Sequence, residues 1–155
     1  MSRSTWDQVF LTWAMAIAKR SRDPNTQVGC VLVSPDHRRM CAGYNGFPPQ
    51  IFDDPEVYAR RAEFAEGVGK DAFVVHAEMN ALLQCTERPD GWTAYVTHGP
   101  CADCAKSLLA AGISRVVHYA RECSTPESRE RCRVGAVVLN LGIPGNVIRV
   151  APPLS

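Results

Sequence analysis

A chain of 155 residues has the length of one domain. Its hydrophobic fraction of 46% and charged fraction of 21% are those of an ordinary globular chain, which excludes a disordered or acidic-tail protein. A net charge of +1 argues against a main role in gripping nucleic acid, and no apolar run approaches the ~18 residues that span a bilayer.

The first element is a helix. Thr5-Trp6-Asp7-Gln8 fits a capping box, and Val9, Phe10, Trp13, Ala16 and Ile17 follow at helical spacing. The helix is expected to run to about Arg22, because Pro24 disfavours helical backbone at Asp23. Trp6 and Trp13, seven apart on one stripe, read as core or subunit contact. Val28 to Val33 is an apolar, β-branched run and reads as a buried strand. Ser34-Pro35-Asp36-His37 has turn composition, and Met40 to Tyr44 returns as a second strand. Asn45 to Pro55 reads as a loop. Glu56 to Glu66 reads as a charged helix bearing Arg60 and Arg61, stopped by Gly67 and Gly69, with a mobile insertion at Glu66 to Asp71. Helices follow at His76 to Cys85, Ala102 to Ala111 and Pro126 to Leu141. They alternate with strands at Thr93 to Thr97, Arg115 to Tyr119 and Val147 to Val150. Such alternation favours a parallel or mixed sheet covered by helices on both faces, in one domain over residues 1–155.

The N-terminus, Met1-Ser2-Arg3-Ser4-Thr5-Trp6-Asp7, lacks the basic-then-apolar order of a signal peptide, so the chain reads as cytoplasmic. In a reducing compartment its 7 cysteines suggest metal binding or catalysis before disulfides. Cys30, Cys41, Cys85, Cys123 and Cys132 read as small packing residues.

The chemistry gathers at His76-Ala77-Glu78 and Pro100-Cys101-Ala102-Asp103-Cys104, each opening a predicted helix. One imidazole and two thiolates suit zinc, and three protein ligands leave a fourth position open for water, as in catalytic sites. Helix N-termini favour the thiolates of Cys101 and Cys104. Glu78, two residues from His76, can move protons without being a ligand. His-x-Glu followed by Pro-Cys-x-x-Cys is the known pattern of the zinc nucleobase deaminases. Two other readings use the same residues: a closed zinc knot with His98 or Cys85 as fourth ligand, and a redox dithiol with His76 and Glu78 incidental.

Over most of its length the chain resembles the deoxycytidylate deaminases of the cytidine deaminase superfamily. The resemblance is carried by Arg20-Ser21-Arg22-Asp23-Pro24-Asn25-Thr26-Gln27-Val28-Gly29, by Gly43-Tyr44-Asn45-Gly46-Phe47-Pro48, and by His76-Ala77-Glu78-Met79-Asn80-Ala81. Tyr95-Val96-Thr97, Pro100-Cys101, Cys104-Ala105-Lys106 and Ala111-Gly112-Ile113 complete it. It implies a three-layer α/β/α fold around a five-stranded mixed sheet. It further implies hydrolytic deamination of dCMP to dUMP and ammonia, supplying thymidylate synthesis, with zinc on His76, Cys101 and Cys104 and Glu78 as acid-base. It also implies a homohexamer activated by dCTP and inhibited by dTTP, with magnesium accompanying the effector at Asn45, Gly46 and Phe47.

Asn45 can offer its amide to a sugar hydroxyl or base edge, though Asn-Gly is equally a turn signal. Ser21, Arg22 and Asn25 are placed to meet a 5′-phosphate or to form a solvated helix end. Ala77, Thr97 and Pro100 complete the expected substrate set. His98 points into the pocket or caps a strand. The chain departs from the family pattern at Gln50, where a glycine is usual, at His98, where an aliphatic residue is usual, and at Arg121-Glu122-Cys123, where an Asp-Lys-Tyr-like stretch is common. Rival readings are deamination of dCTP or another cytosine nucleotide, a tRNA adenosine deaminase, which the charge disfavours, and a zinc-stabilised binding module without chemistry.

Overall fold

The computed structural model describes residues 3–51, 54, 56–58, 72–121, 123 and 125–153. The expected insertion at 66–71 and the Arg60-Arg61 pair lie outside them. The elements run α1 (Trp6–Ala18), β1 (Gly29–Val33), β2 (Met40–Tyr44), α2 (Ala77–Gln84), β3 (Thr93–Val96), α3 (Ala102–Ala110), β4 (Arg115–Tyr119), α4 (Pro126–Gly142) and β5 (Val147–Val150). None of these helices is long and apolar enough to cross a membrane.

Helix α1 opens with the expected capping box: the Gln8 N–H donates to Thr5 Oγ1 at 3.3 Å, and the Thr5 N–H donates to Gln8 Oε1 at 2.8 Å. It stops at Ala18, short of the expected Arg22. Short polar side chains beyond it offer the backbone other partners. Ser21 Oγ accepts from the Asp23 N–H, while Asp23 Oδ1 accepts from the N–H groups of Asn25 and Thr26 at 2.9 and 3.2 Å. The chain therefore leaves the helix into an ordered loop before Pro24 can act.

The five strands form one mixed sheet in the order β2-β1-β3-β4-β5. The β1–β2 hairpin and the β1–β3 pair are antiparallel, and β3–β4 and β4–β5 are parallel. Although β1 is buried throughout, its side chains alternate between faces, as the strand period requires. Val31 and Val33 join Tyr95, Val117 and Tyr119 beneath Phe10, Leu11 and Ala14 of α1. Cys30 and Leu32 join Ala94, Val96 and Val116 against Ala77, Ala81, Ala105, Leu108 and Leu139 of α2, α3 and α4. Helices thus cover both faces, giving the three layers. Each fully buried Leu or Val contributes roughly 1.5–3 kcal/mol, so the two apolar faces dominate the stability. Asp7 pins α1 across the sheet, accepting from Arg115 at 2.8 and 2.7 Å and from the Tyr95 hydroxyl at 2.9 Å.

Two features differ from the sequence reading. Trp6 and Trp13 remain 52% and 47% exposed, so of the expected core or subunit contact the core half does not hold; they flank buried Phe10 with ring centroids 5.4 and 5.6 Å away, while Leu11, Ala14 and Ala18 turn to the sheet. Cys41 and Cys85 are joined as a disulfide, with Cα atoms 5.4 Å apart, instead of serving as separate packing residues. The fold lays β2 along α2, with Cys41 at the helix's C-terminal end. Nearer the helix start Gly43 lets the strand approach the helix backbone, since a Cβ at this position would run into the Ala81 N and the Ala77 carbonyl oxygen.

Candidate active site

His76 is the N-cap residue of α2 and Cys101 that of α3. Both have extended backbone and neither side chain caps its own helix, so the ring and the thiol are left to face each other. Cys104 lies one turn into α3, on the same face as Cys101. His76 Nδ1 is 3.5 Å from Cys101 Sγ and 3.4 Å from Cys104 Sγ, and the three ligand atoms lie within 4.8 Å of one another. Among the described residues this is the one group of three or more His, Cys, Asp or Glu side chains with such spacing. Neither His98 nor Cys85, the fourth ligands a closed knot would use, belongs to it, and Cys85 is committed to Cys41.

The donor set fits zinc: two soft sulfurs and an imidazole meet at two positive helix ends, with a side left for water. A hydrogen bond from Cys104, aided by His76, pulls Cys101 down to about 3, while the same sulfur–sulfur contact and burial push Cys104 up. Glu78, in the first turn of α2, is only 4% exposed and shares a hydrogen bond with the Cys104 thiol. Burial raises its carboxyl pKa, opposed in part by the charge of His76. A carboxyl in that state is suited to taking up and returning a proton.

This His-Cys-Cys group, which could hold a metal ion, opens onto a cleft of about 1200 Å³, whose lining includes Asn25, Asn45, Ala77, Glu78 and His98. Lys19, Arg22, Arg121 and Arg131 also line it, against the carboxylates of Asp23 and Glu78. The lining thus carries more cationic than anionic side chains.

Residues 4–120 match the family model of the cytidine and deoxycytidylate deaminase zinc-binding region. The chain belongs to this deaminase family. A probable deoxycytidylate deaminase of Drosophila melanogaster is 41% identical over 118 residues, covering 73% of this chain and 58% of the relative. One of Caenorhabditis elegans is 45% identical over 111 residues, covering 70% and 54%. The chain thus spans little more than half the length of these curated relatives. In fold it matches the dCMP deaminase of cyanophage S-TIM5, solved with dCMP and dUMP, at a TM-score of 0.73 and 24% identity over 97% of this chain and 100% of that one.

The other residues expected at the deaminase site have different fates. Asn45 reaches the cleft wall but spends its amide internally: Oδ1 accepts from the Val28 N–H at 2.8 Å, and Nδ2 donates to the Thr26 carbonyl at 2.8 Å. Ser21 is 3% exposed and engaged in the loop after α1, whereas Asn25 of the same loop is exposed and lines the cleft. Ala77 packs beneath the site with no exposure. Thr97 is fully buried, its Oγ1 accepting from the Gly29 N–H at 3.1 Å, and Pro100 is buried beside Cys101. Gly46 pairs with Val75, immediately before His76, and Phe47 packs on Tyr58 with ring centroids 4.4 Å apart. Gln50 sits in a turn closed by the Ile51 N–H on the Pro48 carbonyl at 2.9 Å. Its backbone avoids the left-handed region, which His37 alone occupies among the described non-glycine residues, so the turn needs no glycine there. His98 lines the cleft with its ring held neutral, its pKa lowered to about 4 by burial and by Arg121 and His118.

Sequence reasoning missed two contributors. Asp23 organises the 21–28 loop through three hydrogen bonds, one of them to the Asn45 amide at 3.4 Å; its place before Pro in a turn was the available signal. Arg131 reaches from α4 to within 3.9 Å of Cys101 Sγ, and nothing local in the sequence announces that contact.

Proposed function

We propose that the chain catalyses hydrolytic deamination of dCMP to dUMP and ammonia. The observation that carries this reading is the buried Glu78 carboxyl set against the convergent His76, Cys101 and Cys104 at the cleft. When bound by those three side chains, zinc supplies Lewis-acid activation of water at neutral pH. Glu78 takes the proton of the water that attacks C4, delivers it to N3, and then serves the exocyclic amine as it departs as ammonia. One water enters and one ammonia leaves, so the reaction needs no oxidant.

The names of the fly and worm relatives support a deoxycytidine monophosphate, and the cations that line the cleft support a charged substrate. Asn25, with Arg22 or Lys19 beside it, is the proposed 5′-phosphate contact; Ser21 acts by shaping the loop that presents it. Asn45 holds the same loop and meets the sugar or base by exchanging one of its internal partners. Ala77, Thr97 and Pro100 form the rigid backing of the base pocket. The product dUMP would feed thymidylate synthesis in the cytoplasm.

Control by dCTP and dTTP, with magnesium, in a homohexamer belongs to the same reading. The Gly46–Val75 bridge, with hydrogen bonds of 3.1 and 2.8 Å, supports it, because an effector at Asn45, Gly46 and Phe47 would lie one residue from the metal ligand His76. Such control requires unequal binding to two conformations. The test is a panel of cytidine, deoxycytidine, dCMP and dCTP, followed by loss of cytosine absorbance, with dCMP saturation curves repeated with dCTP and with dTTP plus magnesium. The expected order places dCMP first, with dCTP raising and dTTP lowering the rate. A preference for the unphosphorylated nucleoside or for dCTP overturns the substrate; superimposed curves overturn the regulation alone.

A further inference from the structure

The cleft wall contains a second sulfur pair that the deamination reading does not use. Cys123, beyond the end of β4, and Cys132, in the second turn of α4, have Sγ atoms 3.2 Å apart. Both line the cleft and both are partly exposed, so a small reagent that enters the cleft reaches them. A disulfide needs the sulfurs to close to roughly 2.04 Å, a short movement from this contact.

The pair is wired to the metal loop. Cys132 donates its S–H to the Gly99 carbonyl at 3.3 Å, two residues before the ligand Cys101. Burial and the contact with Cys123 push the Cys132 thiol up to about 12, so it stays a protonated donor at neutral pH. Gly135, one helical turn further along α4, lies so close to the Pro100 carbonyl oxygen that a Cβ there would collide with it. One face of α4 therefore supports the backbone of Gly99, Pro100 and Cys101 through both Cys132 and Gly135.

We propose that Cys123 and Cys132 are a thiol–disulfide modification site, oxidised by a low-molecular-weight disulfide, whose closure loosens the metal loop. The Cys123 thiolate attacks one sulfur of the reagent and expels one small thiolate. Cys132, no longer in thiol contact with Cys123, gives up its proton as it attacks the Cys123 sulfur in the mixed disulfide and expels the second. Two protein thiols are oxidised, one disulfide is reduced to two thiols, and the two protons pass to the leaving thiolates. Closure removes the S–H that satisfies Gly99 and ties α4 to the segment after β4. The neighbours that orient ligands commonly affect metal affinity 10–100-fold when lost.

The experiment treats the zinc-loaded protein with oxidised glutathione. It reads disulfides by mass spectrometry of tryptic peptides and zinc release with a chromogenic chelator; neither readout depends on what the enzyme acts upon. Cleavage at Arg129 and Arg131 separates the Cys123 and Cys132 peptides, and the Cys41–Cys85 pair maps to others. The expected result is a Cys123–Cys132 cross-link with zinc still bound, then zinc transfer to the chelator faster by about tenfold, reversed by dithiothreitol. Cys123→Ser and Cys132→Ser proteins, each compared with itself before treatment, should show no acceleration. Absence of the cross-link, an unchanged release rate in the cross-linked protein, or equal acceleration in the serine variants overturns the proposal. Failure to deaminate dCMP would overturn the proposed function and leave this result standing.

Discussion

Replacing Glu78 with alanine is expected to lower kcat on dCMP by about 10²–10⁴ while zinc stays near one per chain. Glu78 is outside the donor group of His76, Cys101 and Cys104, so the metal should remain. It is also 4% exposed, so truncation leaves a small buried void and costs some stability. Glu78→Gln separates the two effects. Glutamine fills the same space but cannot take a proton from water, so its kcat should fall as far while its thermal midpoint stays closer to wild type. Zinc content by atomic absorption, kcat and Tm are measured on the same preparations. Activity near wild type in either variant, or zinc loss from a folded Glu78→Gln protein, contradicts the role given to this carboxyl.

The second large effect is at the metal ligands. His76→Ala and Cys104→Ala should reduce zinc from about one per chain to near zero, because the remaining two donors no longer make a three-ligand set. Deamination should fall to the buffer background. Zinc also links to folding: a ligand held only by the folded chain stabilises it by about 2.7 kcal/mol at a hundred times its Kd. Wild-type Tm should therefore rise on titration with zinc, whereas that of His76→Ala should not. A His76→Ala protein that keeps stoichiometric zinc would place the metal elsewhere.

What could be read from the sequence follows the range over which each feature is encoded. Strands β2, β4 and β5 emerge with their observed limits because each is a short run of strand-forming residues between turn signals. The convergence of His76, Cys101 and Cys104 is legible because its two halves are local, each placed at the start of a helix that the sequence marks. The end of α1 lies earlier than Pro24 implies, because a proline marks only the last place a helix can run to; α1 stops where Ser21 and Asp23 capture backbone N–H groups, a choice the proline does not register. The seven-residue spacing of Trp6 and Trp13 gives a shared face but not whether that face meets the sheet, and both rings stay exposed beside buried Phe10. Cys41 and Cys85 are 44 residues apart, so their contact depends on how α2 lies across β2. The approach of Arg131 to Cys101 likewise follows from the packing of α4 on α3.

The proposed hydrolysis is tested most directly by incubating the zinc-loaded protein with dCMP in water enriched in oxygen-18 and taking the mass spectrum of the nucleotide. The predicted result is dUMP carrying the heavy oxygen at C4, with ammonia released in equal amount and with the signal absent from the Glu78→Gln protein. Unchanged dCMP under these conditions, or labelled dUMP formed equally by Glu78→Gln, would contradict it.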